Sequence, residues 1–332
     1  MDREQEEIQF LGVFGILKES FNIVSSWRKI FSQITLSLII PLSFIYLAHI
    51  EISALIFRNI IVDEYYLERT PEGTSSHNKI SHMLSSEWTT FILFKIGYFI
   101  FFIILTLLST SAVVYTIACI YTAKEITYKK VMSVVPKVWK RLMVTFIWNF
   151  IIIFAYNLVS AFVVLLGFII LGSIPVLLTV FLVLFTIIYL IGFLYITIIW
   201  HLASVVSVLE ESYGLNAMAK SQALIKGKMA VSLAVFFIVG LCFFGTQFMF
   251  KALVVFVDHG IGKRIGFGIL NLVLMSISML FGLIIQTIIY FVCKSYHHEN
   301  IDKSSLSDHL GSYLGEYVPL KSKDVQLEHF EV

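Results

Sequence analysis

The sequence predicts an all-α fold: a polytopic membrane helix bundle with six transmembrane helices and an N-terminal amphipathic interfacial helix. Hydrophobic residues make up 58% of the 332 residues and charged residues only 14%, whereas soluble domains are about 45–50% apolar and about 25% charged. The apolar residues also form continuous runs, and a helix needs about 20 such residues to cross a bilayer. We expect helices because lipid offers backbone groups no hydrogen-bond partner.

The first segment, residues 1–29, is predicted to be cytosolic and to contain the interfacial helix. Phe10, Phe14 and Phe21 recur at helical spacing, and Lys18 and Asn22 lie on the other side. This pattern is typical of an amphipathic helix. Its position before the first apolar run favours a helix that lies in the membrane interface.

Residues 30–293 are predicted to form the transmembrane domain. We place its spans at about 30–50, 91–121, 143–171, 176–206, 229–257 and 267–293. No Asp, Glu, Lys or Arg occurs between Leu142 and Glu210, and this run is too long for one span. Gly172-Ser-Ile-Pro175 is therefore the predicted turn between two antiparallel helices. Residues 51–90 are predicted to be a loop with a turn near Thr70. Gly260–Gly266 is predicted to be a second turn, and residues 294–332 are predicted to form a cytosolic tail.

The distribution of basic residues predicts that both termini are cytosolic. The flanks of the spans carry 17 Lys and Arg residues on one side and 5 on the other, and the richer side is normally cytosolic. Basic residues near an anionic leaflet attract its headgroups. The candidate headgroup contacts are those of the loops after the second and fourth spans: Lys124, Lys129, Lys130, Lys140, Arg141, Lys220, Lys226 and Lys228.

These two loops have a similar pattern, and we interpret both as interfacial elbows. At an offset of 86 residues, Glu125 aligns with Glu211 and Met132 with Met218. An internal duplication and a chance match remain equally open. In the second loop, Ala217 and Leu224 belong to an apolar stripe, and Gly227 is expected to let the chain turn into the fifth span.

Several segments resemble known families. One motif resembles a broad family of multi-pass proteins, which includes the membrane domain attached to some bacterial glycerophosphodiester phosphodiesterases; it comprises Trp200-His201, Glu210–Gly214 and Ala217–Lys228. The whole chain is similar to a plant family of six-span membrane proteins of unknown function, through Tyr121–Glu125, Val135–Trp139 and the tail segment from Leu314. The resemblance implies a membrane fold. It implies no phosphodiesterase activity, because the soluble catalytic domain has no counterpart here.

The sequence contains no nucleotide-binding, zinc-protease or serine-hydrolase motif. We therefore predict no enzyme activity, catalytic residue, cofactor or metal, and a net charge of +2 gives no reason to expect nucleic acid. Cys293 at the end of the last span is either a buried apolar residue, which we favour, or a palmitoylation site. His297 and its neighbours are not expected to bind a metal.

Polar residues at membrane depth are the remaining candidates, because they are costly there and often functional. Asn149, Asn157 and Ser160 are predicted to form a polar face on the third span, and Glu51, Lys95 and Lys251 to snorkel from span ends. The leading hypothesis is a scaffold or trafficking-related protein of the plasma membrane, Golgi or endomembranes, which contacts lipid headgroups and, through its tail, a cytosolic protein. The alternative is a transporter or channel for a small neutral solute.

Overall fold

The computed structural model describes residues 9–256 and 260–297, and every regular element in these ranges is helical. The helices are α1 (Val13–Ser26), α2 (Arg28–Arg69), α3 (Ser75–Tyr121), α4 (Tyr128–Leu171), α5 (Pro175–Leu209), α6 (Leu215–Leu224), α7 (Met229–Val255) and α8 (Ile261–Tyr296). Of the described helices, α2–α5, α7 and α8 are long and apolar enough to cross a membrane. The predicted class, an all-α protein with six membrane-spanning helices, is confirmed.

The expectation that residues 51–90 form a loop is wrong in secondary structure, because most of this segment is helical. Its predicted turn near Thr70 is confirmed, and its place between the first two spans stays a prediction. Helix α2 continues to Arg69 and α3 begins at Ser75, so only residues 70–74 form a turn. The prediction relied on the charges of this segment. Charges end a span but not a helix, since Glu and Arg are good helix formers. Pro71 and Gly73, which has a φ of +82°, lie in the turn itself.

The first of the two predicted elbows is also wrong. Helix α4 begins at Tyr128 and continues through Pro136 into the predicted third span without a break. The second elbow has the predicted form, since α6 ends at Leu224, the chain turns, and α7 begins at Met229. Gly227 has a φ of +91° there, and the aligned position in the first segment is Arg141, which disfavours this conformation. The predicted glycine-rich turn also shortens, because α8 begins at Ile261.

The described residues form two compact units. The first, which we call the N-terminal unit, comprises Gly12–Val113 and the described part of Lys228–Ile288. Helix α1 packs against α7 in this unit and buries Ile16 and Ile23. Phe14 and Phe21 on α1 are 86% and 62% exposed, as expected for side chains that enter a membrane interface.

The second unit, which we call the hairpin unit, comprises Val114–Gly227 with residues 9–11 and 289–297. The predicted turn at Gly172-Ser-Ile-Pro175 joins α4 and α5, which pack against each other. Gly192 on α5 lies against the ring of Tyr156, whose hydroxyl donates a hydrogen bond to the Tyr189 carbonyl at 2.9 Å. Many apolar side chains between Val144 and Ile191 on this pair of helices are exposed, which suits a lipid environment.

Candidate functional site

Four polar side chains of the hairpin unit meet where α5 ends, and we call them the Glu210 junction. Glu210 directly follows α5 and is only 13% exposed. The Lys220 ammonium on α6 lies 2.6 Å from one carboxylate oxygen, and the Lys294 ammonium on α8 lies 2.9 Å from the other. The Tyr290 hydroxyl donates a hydrogen bond to that second oxygen at 2.5 Å. Both oxygens therefore have charged or polar donors.

The environment of Glu210 keeps it ionised. Burial would raise the pKa of the Glu210 carboxyl, but the hydrogen bonds from Lys220 and Tyr290 and the charge of Lys294 outweigh burial and hold the pKa below its usual value. A buried carboxylate is tolerated in this way when cations and donors replace its lost hydration. The junction is therefore a charged structural link between α5, α6 and α8.

Backbone features of the motif hold α6 in place beside this junction. The Gly214 N–H, at the start of α6, donates to the Thr145 hydroxyl at 2.8 Å, and that hydroxyl lies 2.7 Å from the Ser207 hydroxyl. At the other end, His297 Nε2 lies 3.0 Å and 2.9 Å from the carbonyls of Leu224 and Lys226. Since a carbonyl can only accept, Nε2 is the protonated nitrogen.

The candidate headgroup contacts occupy two different environments. In the first turns of α4, Val131, Val134, Val135 and Val138 are buried. Two of the candidates, Lys129 and Lys140, are exposed on the opposite side together with Lys137, which was not among the predicted contacts. We call these three residues the lysine face. Their spacing of 8 and 3 residues places them along one stripe of the helix.

The remaining basic candidates are less open to solvent, with one exception. Lys226 is exposed, whereas Lys124, Lys130, Arg141 and Lys228 are partly buried. Lys220 belongs to the Glu210 junction, so its charge is balanced within the protein. Headgroup contact therefore stays a prediction that suits the lysine face and Lys226 best.

The predicted polar face on the third span is not continuous. Asn149 is buried, whereas Asn157 is exposed and Ser160 partly buried. The Asn157 amide donates to the Ile153 carbonyl at 2.7 Å, and its Oδ1 accepts from the Tyr189 hydroxyl at 2.9 Å. Asn157 thus joins α4 to α5, whereas Asn149 is buried, so the two side chains lie in different environments.

The other predicted features give no chemical site among the described residues. Cys293 and Cys119 are buried, so Cys293 is not accessible for palmitoylation in this structure. No group of three His, Cys, Asp or Glu side chains within residues 9–256 and 260–297 could hold a metal. The tail beyond position 297, including His298, lies outside the described residues.

The fold and these sites define a polytopic α-helical membrane protein. A family model described as a domain of unknown function (DUF8558) matches residues 1–330, and the chain belongs to this family. No curated protein and no solved structure matches the chain.

The sequence interpretation missed the Glu210 junction. It treated Glu210 as the polar end of an apolar run and Lys220 as a headgroup contact. Tyr290 and Lys294 are 80 and 84 residues away from Glu210 in the chain, so no local spacing connects them. The available signal was that a carboxylate directly after a long apolar helix needs a counter-charge.

Proposed function

We propose that this protein is a non-enzymatic membrane scaffold, related to trafficking, that gathers anionic lipid headgroups at its basic end. The single observation that carries the proposal is the lysine face. Its three lysine residues are exposed on a helix whose opposite side is packed in the hairpin unit. Basic residues near an anionic membrane surface each contribute about 1 kcal/mol of attraction, and a rigid helix presents them together.

Two further features support a role at the membrane interface. The exposed Phe14 and Phe21 of α1 are suited to an interfacial position. Tyr213, which precedes α6, is 50% exposed, and aromatic side chains with a polar end are enriched at membrane–water interfaces. The cytosolic orientation of the lysine face, which the charge distribution predicts, belongs to this proposal, as does a cytosolic protein partner for the tail.

The alternative, a channel or transporter for a neutral solute, has less support. It was motivated by the possible internal repeat and by a polar face on the third span, and Asn149 and Asn157 of that face lie in different environments. Buried asparagine side chains also occur as interhelical hydrogen-bonding groups without any transport function.

The proposal is tested by measuring which lipids surround the protein in reconstituted vesicles. Spin-labelled phosphatidylserine and phosphatidylcholine are compared by the fraction of each that is immobilised at the protein. We expect enrichment of phosphatidylserine around the wild type, and a several-fold lower enrichment in the Lys129→Gln/Lys140→Gln variant. Enrichment should also fall with added salt, because exposed charges are screened.

The matched control is Lys79→Gln/Lys263→Gln, which removes the same charge from two other exposed lysines. This control variant should retain the wild-type preference for phosphatidylserine on the predicted cytosolic side. Equal immobilisation of the two lipids by the wild type, or an equal loss in both variants, would contradict the proposal.

A further inference from the structure

A cavity of about 990 Å³ lies within the N-terminal unit. It is formed by α2, α3, α7 and α8, close to the positions where the sequence predicts the first span to end and the second to begin. Its volume is in the range of about 300–1,000 Å³ that is typical of ligand sites. It is separate in sequence from the lysine face and the Glu210 junction.

The charges that line the cavity are mainly positive. Four described lining residues are cationic: Arg58, Lys95, Lys251 and Arg264. Among the described lining residues the one carboxylate is Glu51, and it is paired with Arg264 at 2.6 Å. Arg58 and Lys251 form no ion pair with another described residue. The cavity therefore has an excess of positive charge that an anion would balance.

Two side chains at the cavity, His49 and Ser53, each have a polar atom without a hydrogen-bond partner among the described residues. Lys95 Nζ lies 2.7 Å from His49 Nε2. Because an ammonium group can only donate, His49 Nε2 accepts and Nδ1 carries the proton. This buried Nδ1–H and the Ser53 hydroxyl have no hydrogen-bond partner among the described residues. Both atoms are closed off from solvent, so a ligand in the cavity would meet the exposed side chains of Arg58 and Lys251 and not these two groups.

The rest of the cavity wall is apolar. Leu55, Ile61 and Val62 of α2 line it together with Val255 and Phe256 near the end of α7. The His49 ring is fixed by stacking on Tyr98, with ring centroids 3.6 Å apart. A ligand that fits both parts has an anionic, oxygen-bearing end and a hydrocarbon end.

We propose that this cavity binds one anionic phospholipid from the surrounding bilayer. Arg58 and Lys251 hold its phosphate, and the first part of an acyl chain lies against Leu55 and Val255. A free phosphate has the same anionic chemistry but makes no use of the apolar wall. The proposal concerns different residues from the proposed scaffold function and does not depend on it.

The test uses the full-length protein in a neutral detergent, with bound lipid counted by native mass spectrometry. Phosphatidylglycerol and phosphatidylcholine with identical chains are titrated separately. We expect one tight phosphatidylglycerol site. Its affinity should fall about 30-fold in Arg58→Gln/Lys251→Gln, because this variant loses the attraction of two basic residues to an anionic lipid. Ser53→Trp, which fills the cavity without changing its charge, should also abolish tight binding.

Two controls separate this site from other basic surfaces. Lys79→Gln/Lys263→Gln removes equal charge outside the cavity lining, and Lys129→Gln/Lys140→Gln removes the lysine face; both should keep the tight site. The proposal is overturned if phosphatidylcholine binds as tightly as phosphatidylglycerol, or if the cavity variants bind like the wild type. It is also overturned if glycerol 3-phosphate displaces the lipid at equal concentration, which would indicate a site for a free anion.

Discussion

Glu210 is the residue whose environment departs furthest from the sequence interpretation. Its carboxylate lies at the end of an apolar helix, and its charge is balanced by Lys220 and Lys294 from two other helices. Removing one partner from a buried ion pair leaves an uncompensated charge, and costs about 3–5 kcal/mol when burial is complete. Lys220 and Lys294 are 33% and 18% exposed, so the cost here is reduced by water.

We predict that Glu210→Gln lowers the free energy of unfolding by about 2 kcal/mol at pH 7, measured by thermal unfolding in detergent. The pKa of Glu210 is lowered by its partners, so its stabilisation is fully present above about pH 4.5 and is lost as the pH falls further. The difference between wild type and variant should therefore shrink below that pH.

The neighbouring Glu211 provides the matched control, because it is exposed and forms no ion pair with a described residue. Glu211→Gln changes the net charge by the same amount and should unfold like the wild type. If both variants unfold alike, or if the Glu210→Gln difference grows toward low pH, the Glu210 junction does not stabilise the fold as described.

At the scale of single residues, local sequence patterns predicted which side chains are buried better than they predicted which side chains contact each other. The residues Ala217 and Leu224 were assigned to an apolar stripe, and both are buried. Lys95, Lys251 and Glu51 were identified as unusual charges near span ends, yet nothing in their spacing indicated that they line one cavity. Partners across about 200 residues depend on helix packing, which periodicity alone does not specify.

The turn between α6 and α7 depends on a single glycine. Gly227 has a φ of +91°, and a Cβ at this position would clash with the ring of Tyr296. Gly240 in α7 is the contrasting case, since a Cβ there would meet no atom within 4 Å. Gly227 therefore has a conformation and a neighbour that exclude a side chain, whereas Gly240 has neither.

We predict that Gly227→Ala lowers the unfolding temperature, because a left-handed conformation costs an L-residue about 1–2 kcal/mol before any steric clash is counted. Gly240→Ala should have little effect. Both are measured by thermal unfolding of purified protein. An unchanged unfolding temperature for Gly227→Ala would mean that the turn readily adopts another conformation.

Helix length is the property of the elements that the sequence predicted least well. Helix α3 contains 47 residues, which corresponds to about 70 Å, whereas the hydrocarbon core is about 30 Å thick. Its first turns therefore project well beyond the apolar core. Hydropathy detects the part of a helix that prefers lipid. Hydropathy gives no signal for the polar helical turns by which the same helix continues beyond the lipid into water.

At the scale of the whole molecule, the helical class followed from composition, because lipid offers the backbone of a chain with 58% hydrophobic residues no other hydrogen-bond partner. The number of spans followed from the positions of the apolar runs. The position of the two compact units in the chain was not predicted. Each unit combines segments from distant parts of the sequence: Lys228–Ile288 belongs with Gly12–Val113, and Ile289 marks the change within α8. A boundary inside a continuous helix leaves no linker or change in composition to detect.

The last prediction concerns the orientation of the chain, on which the proposed function of the lysine face depends. The excess of Lys and Arg on one side predicts that Lys140 is cytosolic and that Lys79 is on the opposite side of the membrane. Both side chains are exposed, so single cysteines at these positions report the side directly. We replace Cys242, which is exposed, with Ser and keep Cys119 and Cys293, which are buried.

In sealed microsomes, whose outer surface is cytosolic, a membrane-impermeant maleimide should label Lys140→Cys at once and Lys79→Cys only after permeabilisation. The Cys242→Ser parent should stay unlabelled in both conditions. The reverse pattern would place the lysine face in the lumen, where the proposed contact with the anionic cytosolic leaflet is impossible. Labelling of both positions before permeabilisation would contradict a membrane-spanning path between them, and with it the topology derived from the charge distribution.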